Sequence, residues 1–170
     1  VGVWHGTAED AFRRVASAFD HYGRDWVAMR AESCRATFER GEQSPALFDR
    51  RVACLDGSRA ELGALASVLA KDPKPGDVDR ALDAVLHLAP LAACADHEQL
   101  LAEVPLPADP AVRARVQGLG ERLAEAKAQN LTTRREQARA TLAEILPDIR
   151  AAGGVARGAT RPPAGGGSPS

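Results

Sequence analysis

The sequence predicts an all-α protein, and three observations carry that prediction. Aromatic residues are only 4% of the chain and all seven lie between Trp4 and Phe48, so any later core must be built from Leu, Val, Ile and Ala. Strands draw on β-branched and aromatic side chains, whereas close-packed helices accept this aliphatic set. Apolar residues also recur at helical spacing over long stretches, and Pro- or Gly-bearing breaks separate those stretches. Hydrophobic residues make up 45% of the 170, enough for a real core in one domain or a few stacked helical pairs.

The first helix is predicted from about Thr7 to Arg40. Thr7 and Asp10 stand at capping-box spacing. Phe12, Phe19, Trp26 and Ser33 repeat every seven residues, and Val15, Tyr22, Met29 and Ala36 fill the position three later. That is a heptad seam on an amphipathic helix. Gly41 fits a helix stop, and Ser44-Pro45 reads as an N-cap followed by proline in the first turn. The second helix then runs to about Lys71, with Phe48, Leu55, Leu62 and Leu69 again at seven and Val52 and Leu65 widening the stripe. Two seams joined by a short turn predict an antiparallel αα-hairpin.

Asp72-Pro-Lys-Pro-Gly76 breaks the chain. A third helix, about Asp77 to Leu88, turns Val78, Leu82, Val85 and Leu88 or Leu86 inward, and Pro90 ends it. A short helix from Asp96 to Glu103 presents Leu100 and Leu101. Pro105 to Pro110 forms a stiff, extended connector. Asp109-Pro110 caps a fifth helix that reaches about Asn130 on Val112, Val116, Leu119 and Leu123. After a turn at 131–133, a sixth helix from Arg134 to Ala152 carries Ala138, Leu142, Ile145 and Ile149. Pro147 is expected to kink or fray its end. From Gly153 the Gly-, Pro-, Ala- and Ser-rich composition predicts a disordered tail.

Function classes are narrowed mostly by what the chain lacks. Twenty-two basic against 23 acidic residues give a formal net charge of −1, which does not match the basic face of a nucleic-acid binder. No stretch approaches the roughly 18 apolar residues of a membrane span, and no signal peptide is visible. Glycine-rich phosphate loops, a GxSxG elbow and the protein-kinase signatures are absent. His5, His21, His87 and His97 lack metal-ligand spacing, and Cys94 with His97 supplies only a pair. No cofactor is implied. His21, flanked by Asp20 and Arg24, is a candidate phosphotransfer histidine, against the plainer reading of a surface histidine beside charges.

Cys34 and Cys54 sit in opposite arms of the predicted hairpin at similar distances from its turn. They are either a candidate interhelical disulfide or two small free core thiols. Cys94 is left over as a buried thiol near Leu91. Trp26, Met29 and Arg30 are candidate core anchors or partner-binding residues. The clustered pairs Arg50-Arg51 and Arg134-Arg135 read as solvated helix faces.

Several segments, spread over about residues 8 to 152, carry a resemblance. They are Trp26-Val-Ala-Met29-Arg30, Glu32-Ser-Cys34 with Thr37, Arg40-Gly-Glu-Gln-Ser44 and Arg50-Arg-Val-Ala-Cys54-Leu55-Asp56. Glu61-Leu62, Leu91-Ala-Ala-Cys94-Ala-Asp96 and the connector at 107–110 complete the set. Together they resemble bacterial serine/threonine protein kinases that carry a C-terminal tetratricopeptide-repeat region. The resemblance implies the helical segment between a transmembrane helix and the repeats. Residues 1–104 would then be a hairpin with short helices, and 105–152 a repeat-like helical pair lacking the usual Trp-Leu-Gly-Tyr pattern. Residues 153–170 would be the tail. No kinase domain is present, so the chain is expected to be a non-catalytic sensor or scaffold that binds a protein or peptide partner in signalling. A transmembrane helix preceding it would place it outside the cytoplasm. The alternative is a stand-alone homo-oligomer paired through the seam from Phe12 to Met29.

Overall fold

The computed structural model describes residues 8–71, 76–102 and 107–159. The described residues are all-α: α1 (Ala8–Cys34), α2 (Pro45–Lys71), α3 (Asp77–Leu86), α4 (His97–Ala102), α5 (Pro110–Leu131) and α6 (Arg135–Ala159). A π-helical turn (Arg35–Glu39) continues α1, and a 3₁₀ turn (Leu91–Ala95) precedes α4. Thr7, the break at 72–75, residues 103–106 (which include the end of the expected short helix and the start of the connector) and residues 160–170 lie outside the described residues, as does the side chain of Val78.

The helix starts follow from capping chemistry. Ser44 Oγ accepts from Leu47 N at 3.2 Å, with Pro45 opening α2. Asp96 Oδ1 accepts from Gln99 N at 3.1 Å at the start of α4. Asp109 Oδ1 accepts from Ala111 N at 2.8 Å, ahead of a helix whose first residue is Pro110. Each oxygen satisfies an amide that has no partner inside the helix. At the other end of α1, Gly41 takes φ +64°, the left-handed conformation that only glycine reaches without a Cβ penalty.

α1 and α2 fold back on each other. Trp26 Nε1 donates to Leu55 O at 2.6 Å, and Gln43, in the turn, bridges Ser33 of α1 to Arg51 of α2. α3 lies on α1: Phe19 and Tyr22 pack with Val85, Leu88 and Leu65 in the main core, and Tyr22 Oη donates to Ala89 O at 2.8 Å. α5 lies on α2 through Ala128 against Leu65 and Val68, and α6 packs along α5. A second cluster joins Leu55, Leu91 and Cys94 with Trp26 and Met29. The seam of α1 is therefore used inside the chain from Phe19 to Ala36. Phe12 departs from it and is 69% exposed.

Two corrections concern α6. The helix runs through Pro147 and past Gly153 to Ala159. Proline removes the hydrogen bond to the carbonyl four residues earlier, here that of Ala143. Both residues are solvent-exposed, so water can satisfy that carbonyl.

Candidate functional site

The hairpin end of the molecule is built from the sequence-selected anchors. Trp26 and Met29 are half-buried against the Leu55–Leu91 cluster, and Arg59 lies 5.9 Å over the Trp26 ring. Both act as core. Arg30 lies 5.2 Å from the Phe48 centroid, and its Nη1 donates to Cys34 Sγ at 3.3 Å. Phe38 meets Phe48 edge to face at 5.0 Å and stays 69% exposed. Beneath this rim, Gln43 Nε2 donates to Ser33 O at 3.0 Å and Thr37 Oγ1 at 2.6 Å, while Arg51 Nη1 donates to Gln43 Oε1 at 2.7 Å. Glu32 is held below the ordinary carboxylate range by Arg40 first and Arg35 second.

The disulfide joins Cys54 to Cys94, with Cα atoms 5.6 Å apart, and Cys34 is free. That overturns the candidate Cys34–Cys54 pair. The register of the hairpin explains why: Cys54 neighbours Leu55, which is level with Trp26, whereas Cys34 is two turns further along α1, about 12 Å at 1.5 Å per residue. Cys54 instead faces the 3₁₀ turn after α3. Its bridge ties α2 to that turn beside Ser58, whose hydroxyl is 4.0 Å from Cys94 Sγ.

The arginine pairs also need correction, because Arg51 and Arg134 are buried rather than solvated. Arg134 Nη2 pairs with Asp77 Oδ2 at 3.0 Å, with side chains only 5% and 3% exposed. Thr133 Oγ1 donates to Asp77 Oδ1 at 2.9 Å. This pair fastens the start of α3 to the α5–α6 turn. Arg50 Nη1 donates to Leu100 O at 2.6 Å and so holds α4 to α2.

Around the Asp77–Arg134 pair lie two adjoining depressions. One, of about 500 Å³, is lined by Arg80, Gln137 and the turn from Thr132 to Glu136. The other, of about 450 Å³, is lined by Ala64, Ser67, Val68, Lys71, Glu125, Gln129, Arg134 and Gln137. Arg134 and Gln137 form walls of both, so the two make one notch across the junction of α2, α3 and α6. The Thr133 hydroxyl in its wall donates to Asp77, whose carboxylate is also held by Arg134. The residue before α6 is an arginine, which has no oxygen with which to cap the amides of Glu136 and Gln137. Sequence reasoning missed this notch because its key residues are spread over four segments, and only that arginine at a cap position signals it.

His21 is exposed, with Nε2 3.4 Å from Asp25 Oδ2 one turn on, rather than from Asp20 or Arg24. Among the described residues no group of three or more His, Cys, Asp or Glu is placed to hold a metal ion, and no helix is long and apolar enough to cross a membrane. No protein-family model, curated protein or solved structure matches the chain.

Proposed function

We propose that the chain is a non-catalytic helical scaffold or sensor region of a tetratricopeptide-containing serine/threonine protein kinase, and that it acts by binding a protein or peptide partner. The observation that carries the binding part of this reading is the notch at the α2–α3–α6 junction. Its walls hold hydrogen-bond donors and charge, and a buried ion pair fixes its shape. Such a surface selects by charge and shape. The kinase context rests on the resemblance spread over residues 8 to 152, with α5 and α6 as a repeat-like pair. The Cys54–Cys94 bridge suits an oxidising compartment, in keeping with a segment beyond a membrane helix.

The coding sequence upstream of Val1 tests the context directly. A kinase domain followed by a transmembrane helix supports the reading, and an unrelated upstream domain removes it. In that longer protein, deletion of residues 8–152 is expected to change kinase output. Unchanged output would sink the sensor role. For the oligomer alternative, the seam residues Phe19, Tyr22, Trp26 and Met29 are already packed within the chain, which leaves Phe12 and Val15 to pair.

A further inference from the structure

We propose that the notch at the α2–α3–α6 junction receives an acidic segment of a partner protein, several residues long and bound through its carboxylates. This deepens the protein-binding reading above and rests on it. Charge complementarity is the first argument. Lys71, Arg80 and Arg135 line the notch from three different elements, and none has an acidic partner among the described residues. The two carboxylates in the walls are already engaged: Glu125 with Arg122 at 2.9 Å, and Glu136 with Arg139 at 2.9 Å. Three cations therefore face an opening whose own acids are neutralised elsewhere.

The second argument is the start of α6. This is the positive end of the helix dipole, and the Arg134 side chain brings no oxygen to the first amides. A carboxylate placed there would accept from those amides and from the Arg135 guanidinium. Shape is the third argument. Two depressions of about 500 and 450 Å³, joined through Arg134 and Gln137, far exceed the size of a single small anion and suit a length of chain. Between the cations, the exposed Gln137 presents an amide for a peptide backbone, and Ala64 offers apolar surface to side-chain stems. The Asp77–Arg134 pair holds the helix junction in place before anything binds, so the ordering cost of association falls on the side chains and the partner segment rather than on the walls' backbone.

The probe is a fluorescein-labelled octaglutamate peptide with both ends capped, titrated with the whole chain at low ionic strength and read by fluorescence polarisation. Saturable binding is expected, weakening as salt is added. The double variant Arg80→Gln/Arg135→Gln is expected to lose about tenfold or more in affinity, and Lys71→Gln a smaller factor. Arg13→Gln, on the exposed face of α1, should change it less than about twofold. Thermal melts establish that each variant folds. The proposal is overturned by absence of binding at low salt, or by equal losses from Arg13→Gln and the notch variants, which would mark diffuse attraction. Displacement of the peptide by an equal concentration of inorganic phosphate would also overturn it, in favour of a small-anion site. Any of these results leaves the kinase context to be decided separately by the upstream sequence and the deletion.

Discussion

The hairpin of α1 and α2 and the pair formed by α5 and α6 hold their helices by different means. In the hairpin, half-buried aromatics, a polar chain from Ser33 through Gln43 to Arg51, and a disulfide to the following 3₁₀ turn act together. Around α5 the contact residues are small. Ala124, Ala126 and Ala128 are buried, which lets helices approach closely without large side chains. Toward the outer half of this pair Ile145 is buried, Leu119, Leu123 and Ile149 are half-buried, and ion pairs cross the surface, Arg115–Asp148 and Arg122–Glu144, both 2.6 Å. Exposed pairs contribute little in water. The difference teaches that the stronger fastenings lie at the hairpin, where Ala128 of α5 also packs on α2, and at the buried ion pair that ties the α5–α6 turn to the start of α3. The outer α5–α6 arm is attached with less.

The largest effect is therefore expected at the buried ion pair between α3 and the α5–α6 turn. Asp77→Ala leaves the Arg134 guanidinium buried without its partner and should cost about 3–5 kcal/mol, read by urea unfolding. The double variant Asp77→Ala/Arg134→Met should recover much of that loss, because no charge is then left stranded. A cost below about 1 kcal/mol for Asp77→Ala would mean that the junction is held by apolar contacts alone. Opening the Cys54–Cys94 bridge comes next. The sequence separation of 40 closes a loop whose constraint on the unfolded chain is worth about 2–4 kcal/mol, model-dependent in origin. Cys94→Ala should lower the unfolding midpoint and make it insensitive to dithiothreitol, while Cys34→Ala leaves the sensitivity intact. Retained sensitivity in Cys94→Ala would restore the pairing of Cys34 with Cys54.

These two fastenings mark where the sequence was readable and where it was not. The helices, the stop at Gly41 and the caps at Ser44, Asp96 and Asp109 are local, and each is written in a few adjacent residues. The two buried arginines were not readable. Arg51 and Arg134 each have an arginine neighbour, Arg50 and Arg135, and a run of two cations looks like a solvated face. Their burial depends on Gln43 and Asp77, which lie 8 and 57 positions away. The disulfide failed for a related reason. Distance from the turn fixes only a rough level on each arm, whereas the true register is set by Trp26 and Leu55, and the partner came from a turn beyond α3. The notch shares this property, since charges on α2, α3 and α6 converge only after folding.

Within the hairpin region, Tyr22 offers a finer test. Its phenol is pushed above the ordinary tyrosine range, chiefly by burial, with the nearby Ser58 hydroxyl opposing and the charge of Glu61 adding. An acid whose folded value is raised holds its proton more tightly when folded. Its contribution is thus complete below the unfolded value of about 10 and is lost as pH rises through the folded value. Stability should fall above about pH 10, and Tyr22→Phe should remove part of that fall. At neutral pH the same variant loses the bond to Ala89 O and should cost about 0.5–1.5 kcal/mol. An alkaline profile identical in Tyr22→Phe would assign the titration to another group.

The smallest effects are expected on the outer arm, and they sharpen the contrast from the weak side. Arg115→Ala and Arg122→Ala should each cost about 0.2–1 kcal/mol, and the cost should shrink further at high salt because both pairs are exposed. Hydrogen exchange adds a spatial reading to the same comparison. Amides from Val112 to Gly120, on a half of α5 with most side chains exposed, should exchange faster than those from Leu55 to Val68, where Leu55 and Leu65 are fully buried. Removing Arg122 should accelerate exchange on the arm and leave α2 unchanged, because the arm can open without disturbing the disulfide cluster. If exchange in α2 rose in step with α5, the arm and the hairpin would open as one unit, and the division of stability between them would not hold.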